Sequence, residues 1–118
     1  MEINRGMSET IKIKDRIIGP GKPAYIIAEM SANHAGSFER AIEIIHEAKK
    51  AGADAVKFQH FKAETIVSKF GFENLNTTTH QSSWEKSVFD TYKDAECNIE
   101  WTEELYNVAK HENIEFMN

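Results

Sequence analysis

This sequence has little cysteine, little proline and no long hydrophobic run. Its 118 residues include two prolines and a single cysteine, Cys97. A lone cysteine forms no internal disulfide and has no C-x-x-C partner for metal or redox chemistry. We therefore expect Cys97 to be a reduced thiol that packs in the interior, which is the commonest role of a free cysteine.

The sequence also lacks the segments that direct a protein to a membrane or to nucleic acid. Its longest apolar runs fall far short of the roughly 20 residues that span a bilayer. Residues 1–14 contain no apolar core of a secretory signal. The net charge is -5, from 14 basic and 19 acidic side chains, and no basic cluster offers a site for a phosphate backbone. We expect a cytoplasmic protein with no membrane and no nucleic-acid partner.

What the sequence does contain is two apolar segments that end in ionisable or amide side chains. Residues 25–29 predict a strand that ends at Glu29. Residues 54–59 predict a second strand that carries Lys57 and Gln59 near its end. In a parallel barrel these three side chains meet at the mouth, where such folds do their chemistry.

An amphipathic helix connects the two strands. Ser37 is a suitable N-cap, and Gly52 lies where a left-handed C-terminal cap belongs. A strand, helix and strand of this length form a right-handed parallel crossover. The apolar residues that recur at helical spacing are Phe38, Ala41, Ile42, Ile45 and Ala48.

Weaker patterns flank this unit. We expect residues 1–10 to be disordered and residues 11–18 to form a short hairpin. Residues 61–81 are too long for a passive connector, so they predict an active-site or covering loop. The remaining predicted elements are a helix over residues 84–95, a helix capped by Thr102 with Leu105, Val108 and Ala109 on its apolar face, and a third strand over residues 114–117.

This alternation of strands and helices predicts an α/β fold with a parallel sheet. Such a sheet needs cover on both faces, and a buried-type strand at the end of the chain leaves an open edge. We therefore expect residues 11–118 to be an incomplete domain, the first three or so strands of a (β/α)8 barrel. We expect the chain to be a fragment of a longer protein.

The alternation of side chains along a strand places the ionisable residues on one face. Glu29, Lys57 and Gln59 then point into the barrel, and the helices pack on the opposite set, Ile26, Ala28, Val56 and Phe58.

Several roles are open for the polar residues. Lys57 binds a phosphate or carboxylate, forms a Schiff base, or pairs with Glu29. Glu29 is then a base, a ligand of a sugar hydroxyl, or only the partner of Lys57. Gln59 suits a sugar hydroxyl or a hydrogen bond to a neighbouring loop. Asn33 and His34 either contact substrate or shape their loop, and Glu29 with His34 supplies too few ligands for a metal site.

Two motifs carry a resemblance to a known family. Residues 27–37 (IAEMSANHAGS) and residues 51–59 (AGADAVKFQ) closely resemble the N-terminal part of the sialic acid synthase family. That family includes N-acetylneuraminate, legionaminate and pseudaminate synthases. The resemblance covers about residues 11–118.

Further segments are most similar to the pseudaminic acid synthase branch of that family. They are residues 31–34, residues 37–41, residues 88–95, and the pair Glu100 and Trp101. The N-acetylneuraminate and legionaminate branches remain alternatives.

The resemblance implies a TIM barrel followed by a small antifreeze-like domain, in a homodimer that needs a divalent metal, Mn²⁺ or Mg²⁺. The implied reaction condenses phosphoenolpyruvate with an N-acetylated hexose to give a nine-carbon 2-keto acid and phosphate. By position, Glu29 is the implied acid–base residue that faces the sugar. Lys57 helps to hold phosphoenolpyruvate, and Gln59 contacts the sugar.

The same resemblance places the metal ligands of the family beyond the last residue of this sequence. We therefore expect no metal site here and no antifreeze-like domain. We expect the 118-residue chain alone to be inactive. The non-enzymatic alternative is a truncated fragment that only associates with a partner chain.

Overall fold

The computed structural model describes residues 9–73 and 85–118. The predictions for residues 1–8 and 74–84, Trp84 among them, lie outside the described residues. The strands are β1 (Ile11–Ile13), β2 (Arg16–Ile18), β3 (Ile27–Ser31), β4 (Ala55–Phe58) and β5 (Glu115–Met117). The helices are α1 (Phe38–Lys50), α2 (Ala63–Ile66), α3 (Lys69–Glu73), α4 (Val88–Asp94) and α5 (Thr102–His111), and a 3-10 turn, Ile99–Trp101, precedes α5.

Strands β3, β4 and β5 form a parallel sheet in that order. Helix α1 connects β3 to β4, and α5 leads into β5. The predicted α/β fold is confirmed, because helices connect neighbouring parallel strands in the way that the N-terminal part of a TIM barrel does. The predicted hairpin is also confirmed, since β1 and β2 pair antiparallel as a separate two-stranded sheet.

Helix α1 begins and ends where its caps were predicted. The Ser37 hydroxyl accepts a hydrogen bond from the backbone N–H of Arg40 at 3.2 Å. Gly52 follows the helix with φ +89°, and its N–H donates to the carbonyl of Lys49 at 3.0 Å. These bonds satisfy polar groups that a helix leaves open at both ends.

Helices α1 and α5 pack on one face of the sheet, as the alternation of side chains predicts. Ala28, Val56 and Phe58 face the helices. The placement of Ile26 on this face was wrong, because its side chain is about half exposed. Ile26 precedes the first residue of β3, and its carbonyl binds the N–H groups of Asp54 and Ala55 instead. The buried core consists of Met30, Ala41, Ile45, Ala48, Val56, Phe58, Leu105, Ala109 and Ile114.

The start of α5 differs from the prediction. Thr102 is its first residue and not its cap. The 3-10 turn comes before it, and there the Asn98 side chain accepts a hydrogen bond from the N–H of Glu100 at 3.0 Å. The Thr102 hydroxyl is therefore available to His60, whose Nε2 lies 3.1 Å away.

Other predictions concern single elements. The described part of the predicted covering loop contains two short helices, α2 and α3. Cys97 is a free, buried thiol, as expected, and burial raises its pKa. In the described parts of the chain, no helix is long and apolar enough to cross a membrane.

Candidate active site at the carboxyl ends of the strands

Glu29 and Lys57 stand side by side at the carboxyl end of the sheet. They are direct partners in the parallel register of β3 and β4, and Lys57 Nζ lies 3.3 Å from Glu29 Oε2. Their side chains are 53% and 46% exposed, respectively. An ion pair this open keeps N–H groups and lone pairs available to a bound molecule. The geometry therefore combines the ion-pair role with room for a ligand.

Gln59 lies just beyond β4, next to Ser31. The register between β3 and β4 shifts after Glu29, so that Ser31 opposes Phe58. The Ser31 hydroxyl then donates to Gln59 Oε1 at 2.8 Å. This bond is the loop hydrogen bond that the sequence offers as the alternative role of Gln59. Because the side chain is exposed and an amide has further donors and acceptors, this bond leaves hydrogen-bonding capacity for a ligand.

A cavity of about 230 Å³ opens beside Gln59. Its apolar wall includes Phe61 and Tyr92, whose rings meet edge to face with centroids 5.8 Å apart. Ser31, Ala32, Thr91 and Ala95 complete the lining. Phe61 also lines a larger cavity of about 580 Å³, together with His60, Lys62, Lys93 and residues 96–100.

Asn33 is exposed in the loop after β3. Its side-chain Nδ2 donates to the carbonyl of Met30 at 2.9 Å, and its backbone N–H donates to the same carbonyl at 3.0 Å. Asn33 therefore shapes the loop.

His34 is fully buried. Its Nδ1 accepts a hydrogen bond from the backbone N–H of Gly36 at 3.0 Å, and its ring lies edge to face with Trp101 at 5.7 Å between centroids. Burial, and secondarily the nearby His60, lower the pKa of His34. The geometry favours the loop-shaping alternative for His34, because the side chain does not reach the surface.

No role was predicted for His60 or Thr102 in holding the mouth together. His60 follows Gln59 directly, and its ring binds the first residue of α5. The available signal was the alternation of side chains, which places His60 on the same face as Val56 and Phe58.

The part of the chain that the structure describes contains no cluster of three or more histidine, cysteine or carboxylate side chains that could hold a metal ion. Glu29 pairs with Lys57, and His34 commits its Nδ1 to the backbone. The described residues therefore do not fit the metal that the resemblance implies.

Comparison with known proteins decides the family. The model of the NeuB family matches residues 44–118, more than half of the chain. The chain belongs to the NeuB family. This confirms the predicted membership in the sialic acid synthase family.

The curated relatives of this NeuB-family chain include synthases of two different sugars. It is 37% identical over 94 residues to the pseudaminic acid synthase of Campylobacter jejuni, covering 79% of this chain and 27% of that protein. It is 36% identical over 99 residues to the N,N'-diacetyllegionaminic acid synthase of Legionella pneumophila, covering 84% of this chain and 28% of that protein. The chain thus spans about a quarter of the length of these relatives.

A solved structure has the same fold. The N-acetylneuraminic acid (sialic acid) synthetase of Leptospira borgpetersenii, crystallised in complex with citrate, matches with a TM-score of 0.71 and 28% sequence identity. The match covers 94% of this chain and 34% of that chain.

Proposed function

We propose that the protein containing these residues condenses phosphoenolpyruvate with an N-acetylated hexose, giving a nine-carbon 2-keto acid of the pseudaminic type. The observation that carries this proposal is the Glu29–Lys57 pair, partly exposed at the carboxyl ends of two parallel strands. Relatives that carry synthase names support it. In this fold, ionisable residues at the carboxyl ends of strands usually bind ligand or react.

Lys57 is the proposed ligand of phosphoenolpyruvate. Its ammonium group offers three N–H donors, and the bond to Glu29 at 3.3 Å engages one of them. The remaining donors bind the carboxylate or phosphate of phosphoenolpyruvate and neutralise the negative charge that develops as phosphate leaves. Because the chain is acidic overall, this local cation has to attract the anion.

Glu29, Gln59 and Asn33 are the proposed contacts to the sugar. The carboxylate of Glu29 accepts a hydrogen bond from a sugar hydroxyl or moves a proton at that hydroxyl. The amide of Gln59 both donates and accepts, and it borders the cavity of about 230 Å³. The aromatic wall of that cavity packs against the carbon chain of the sugar or its acetyl group.

In the proposed reaction the C=C bond of phosphoenolpyruvate supplies the electron pair for a bond to the aldehyde carbon of the open-chain sugar. The C=O bond of the aldehyde opens, and its oxygen takes up a proton to become a hydroxyl. Water adds to the resulting oxocarbenium-like centre, and loss of phosphate leaves the keto group. We expect a divalent metal, Mn²⁺ or Mg²⁺, in the complete enzyme, held by residues other than the described ones. We also expect a cytoplasmic homodimer with a C-terminal antifreeze-like domain.

The test is phosphate release from phosphoenolpyruvate by the complete protein with Mn²⁺ and a panel of N-acylated hexoses. The panel is needed because the identities to pseudaminic and legionaminic acid synthases are nearly equal, 37% and 36%. Absence of phosphate release with every sugar would refute the proposal. Borohydride trapping of a substrate on Lys57 would instead support a Schiff-base enzyme.

Lys57→Ala tests the assigned role. Loss of a hydrogen bond to a charged group weakens binding by about 1.5–3 kcal/mol, so the KM for phosphoenolpyruvate should rise about tenfold or more. Lys50→Ala is the matched control, since Lys50 is an exposed lysine on α1 that is paired with Glu47. An unchanged KM in Lys57→Ala would contradict the role.

A further inference from the structure

The segment from the last residue of β3 to the N-cap of α1, residues 31–37 and called the loop below, has an unfavourable backbone conformation. Ser31 and Ala35 have φ values of +53° and +49°, which residues other than glycine rarely adopt. Gly36 follows with φ +74°. Such conformations persist only where the surroundings hold them. The loop carries Asn33 and the hydroxyl that binds Gln59, so whatever holds it also shapes the proposed sugar contacts.

His34 holds this loop from the inside. It is 0% exposed, in a loop that otherwise lies at the surface or is only partly buried. Its ring Nδ1 accepts from the N–H of Gly36 at 3.0 Å, and its carbonyl accepts from the N–H of Ser37 at 2.9 Å. The ring packs against Trp101, which precedes α5. One side chain therefore joins the strained loop to the helix behind it.

The bond from Gly36 fixes the protonation of the ring. A backbone N–H is always a donor, so Nδ1 of His34 has to be the acceptor and carries no proton. The ring is then neutral, with its proton on Nε2. Nε2 is buried and has no hydrogen-bond partner among residues 9–73 and 85–118.

We propose that neutral His34, protonated on Nε2, is a positioning residue that fixes the loop of residues 31–37 against Trp101, and that protonation of Nδ1 releases this loop. Protonation removes the acceptor from Gly36 and places a charge at a fully buried position. The claim that the loop touches substrate rests on the proposed function, whereas the claim about the ring does not.

The groups around the ring give the sign of the pH effect. Within the described ranges, His60 is the titratable group that acts on His34, and its charge lowers the pKa of His34 further below the value that burial alone gives. The indole of Trp101 and the phenyl ring of Phe38 packed on it are uncharged. Because the pKa of His34 is lowered in the folded state, the contribution of its neutral ring to stability is complete above the ordinary histidine pKa of about 6.5. It is lost as pH falls below that value.

Two substitutions separate the hydrogen bond from the titration. His34→Asn retains an acceptor, because an asparagine side chain can bind the N–H two residues ahead, and it does not titrate. His34→Ala removes both the hydrogen-bond acceptor and the titratable group. At pH 7.5, we expect His34→Ala to have a ratio of folded to unfolded protein about fivefold to tenfold lower than His34→Asn, the effect of one lost hydrogen bond.

Urea unfolding of the full chain at pH 7.5 and pH 5.5 measures the stability of each variant. We expect the unchanged protein to lose more stability on acidification than His34→Asn does. His111→Asn is the control, because the side chain of His111 is 91% exposed. This variant should lose as much stability between pH 7.5 and pH 5.5 as the unchanged protein does. Equal acid sensitivity of His34→Asn and the unchanged protein, or equal stability of His34→Asn and His34→Ala at pH 7.5, would overturn the proposal.

Nitrogen-15 NMR of the imidazole rings gives a second, direct measurement. At pH 7.5 the His34 ring should show an unprotonated Nδ1 and a protonated Nε2. A proton on Nδ1 would refute the assignment. Neither the unfolding curves nor the ring signals depend on catalysis, so an inactive protein would count against the proposed function and leave the role of His34 intact.

Discussion

The two ends of the three-stranded sheet both carry a carboxylate paired with a cation, but the two pairs are built differently. At the amino end, Asp54 uses both of its oxygens within the protein. Oδ1 binds Arg16 Nη1 at 2.5 Å, and Oδ2 accepts from the N–H of Ile26 at 2.7 Å. At the carboxyl end, Glu29 and Lys57 meet in one bond of 3.3 Å.

The carboxylate at the amino end is also less exposed than the pair at the carboxyl end. The side chain of Asp54 is 18% exposed, compared with about half for Glu29 and Lys57. The amino-end pair attaches the hairpin to the sheet, and the hairpin also reaches β5 through an ion pair between Lys14 and Glu115. A pair that is internally complete stabilises the fold, whereas an open pair has capacity left for a ligand. This matches the division of roles between the two ends of a parallel barrel.

The largest effect should come from Asp54→Ala. This change removes the acceptor of the N–H of Ile26 and leaves the guanidinium of Arg16 with only the carbonyl of Ala24 as acceptor among the described residues, so we expect a loss of about 2–3 kcal/mol in the free energy of unfolding. Urea unfolding measures it. Glu43→Ala, which removes an exposed carboxylate from α1, is the control and should change stability little. A loss below about 0.5 kcal/mol for Asp54→Ala, typical of a surface change, would abolish the distinction between the two ends.

An intermediate effect is expected at two glycines, one at each end of α1. Gly36 and Gly52 both have positive φ, +74° and +89°, and open space where a Cβ would lie. Alanine at either position should cost about 1 kcal/mol of backbone strain. The two variants should therefore unfold at similar urea concentrations.

The same two variants should differ in ligand binding. Gly36→Ala alters the loop at the carboxyl end, so it should weaken binding of the sugar, whereas Gly52→Ala at the amino end should not. Measured sugar affinities that fall equally in both variants would show that binding follows general stability and not the local loop.

The smallest effect on stability is expected at the open pair. Glu29→Gln and Lys57→Met should each change the free energy of unfolding by at most about 1 kcal/mol, as is typical of exposed ion pairs. The change should shrink further as salt is added. A loss above 2 kcal/mol in thermal or urea unfolding would mean that Glu29 and Lys57 form a structural pair like the one at Asp54.

Local patterns predicted most of the fold. The caps at Ser37 and Gly52, and the helical spacing of apolar residues between them, predicted α1 because each signal lies within a few residues of the structure it forms. The alternation in β3 and β4 placed Glu29 and Lys57 on one face and the core residues on the other. These predictions needed no contact between distant parts of the chain.

The remaining features depend on such distant contacts. The bond between His60 and Thr102 joins residues 42 positions apart, and no pattern near either residue indicates it. The burial of His34 follows from packing against Trp101, which no pattern near His34 indicates. The shift in register after Glu29 that brings Ser31 to Gln59 is a property of the paired strands and of neither strand alone.

The attachment of the hairpin to Asp54 has a consequence during protein synthesis. Arg16 and Asp54 are 38 residues apart, so at about 5–20 residues per second Arg16 is made roughly 2–8 s before its partner. A hairpin forms in microseconds and is marginally stable alone. The hairpin therefore has to form and dissolve many times on the ribosome before Asp54 arrives to fix it.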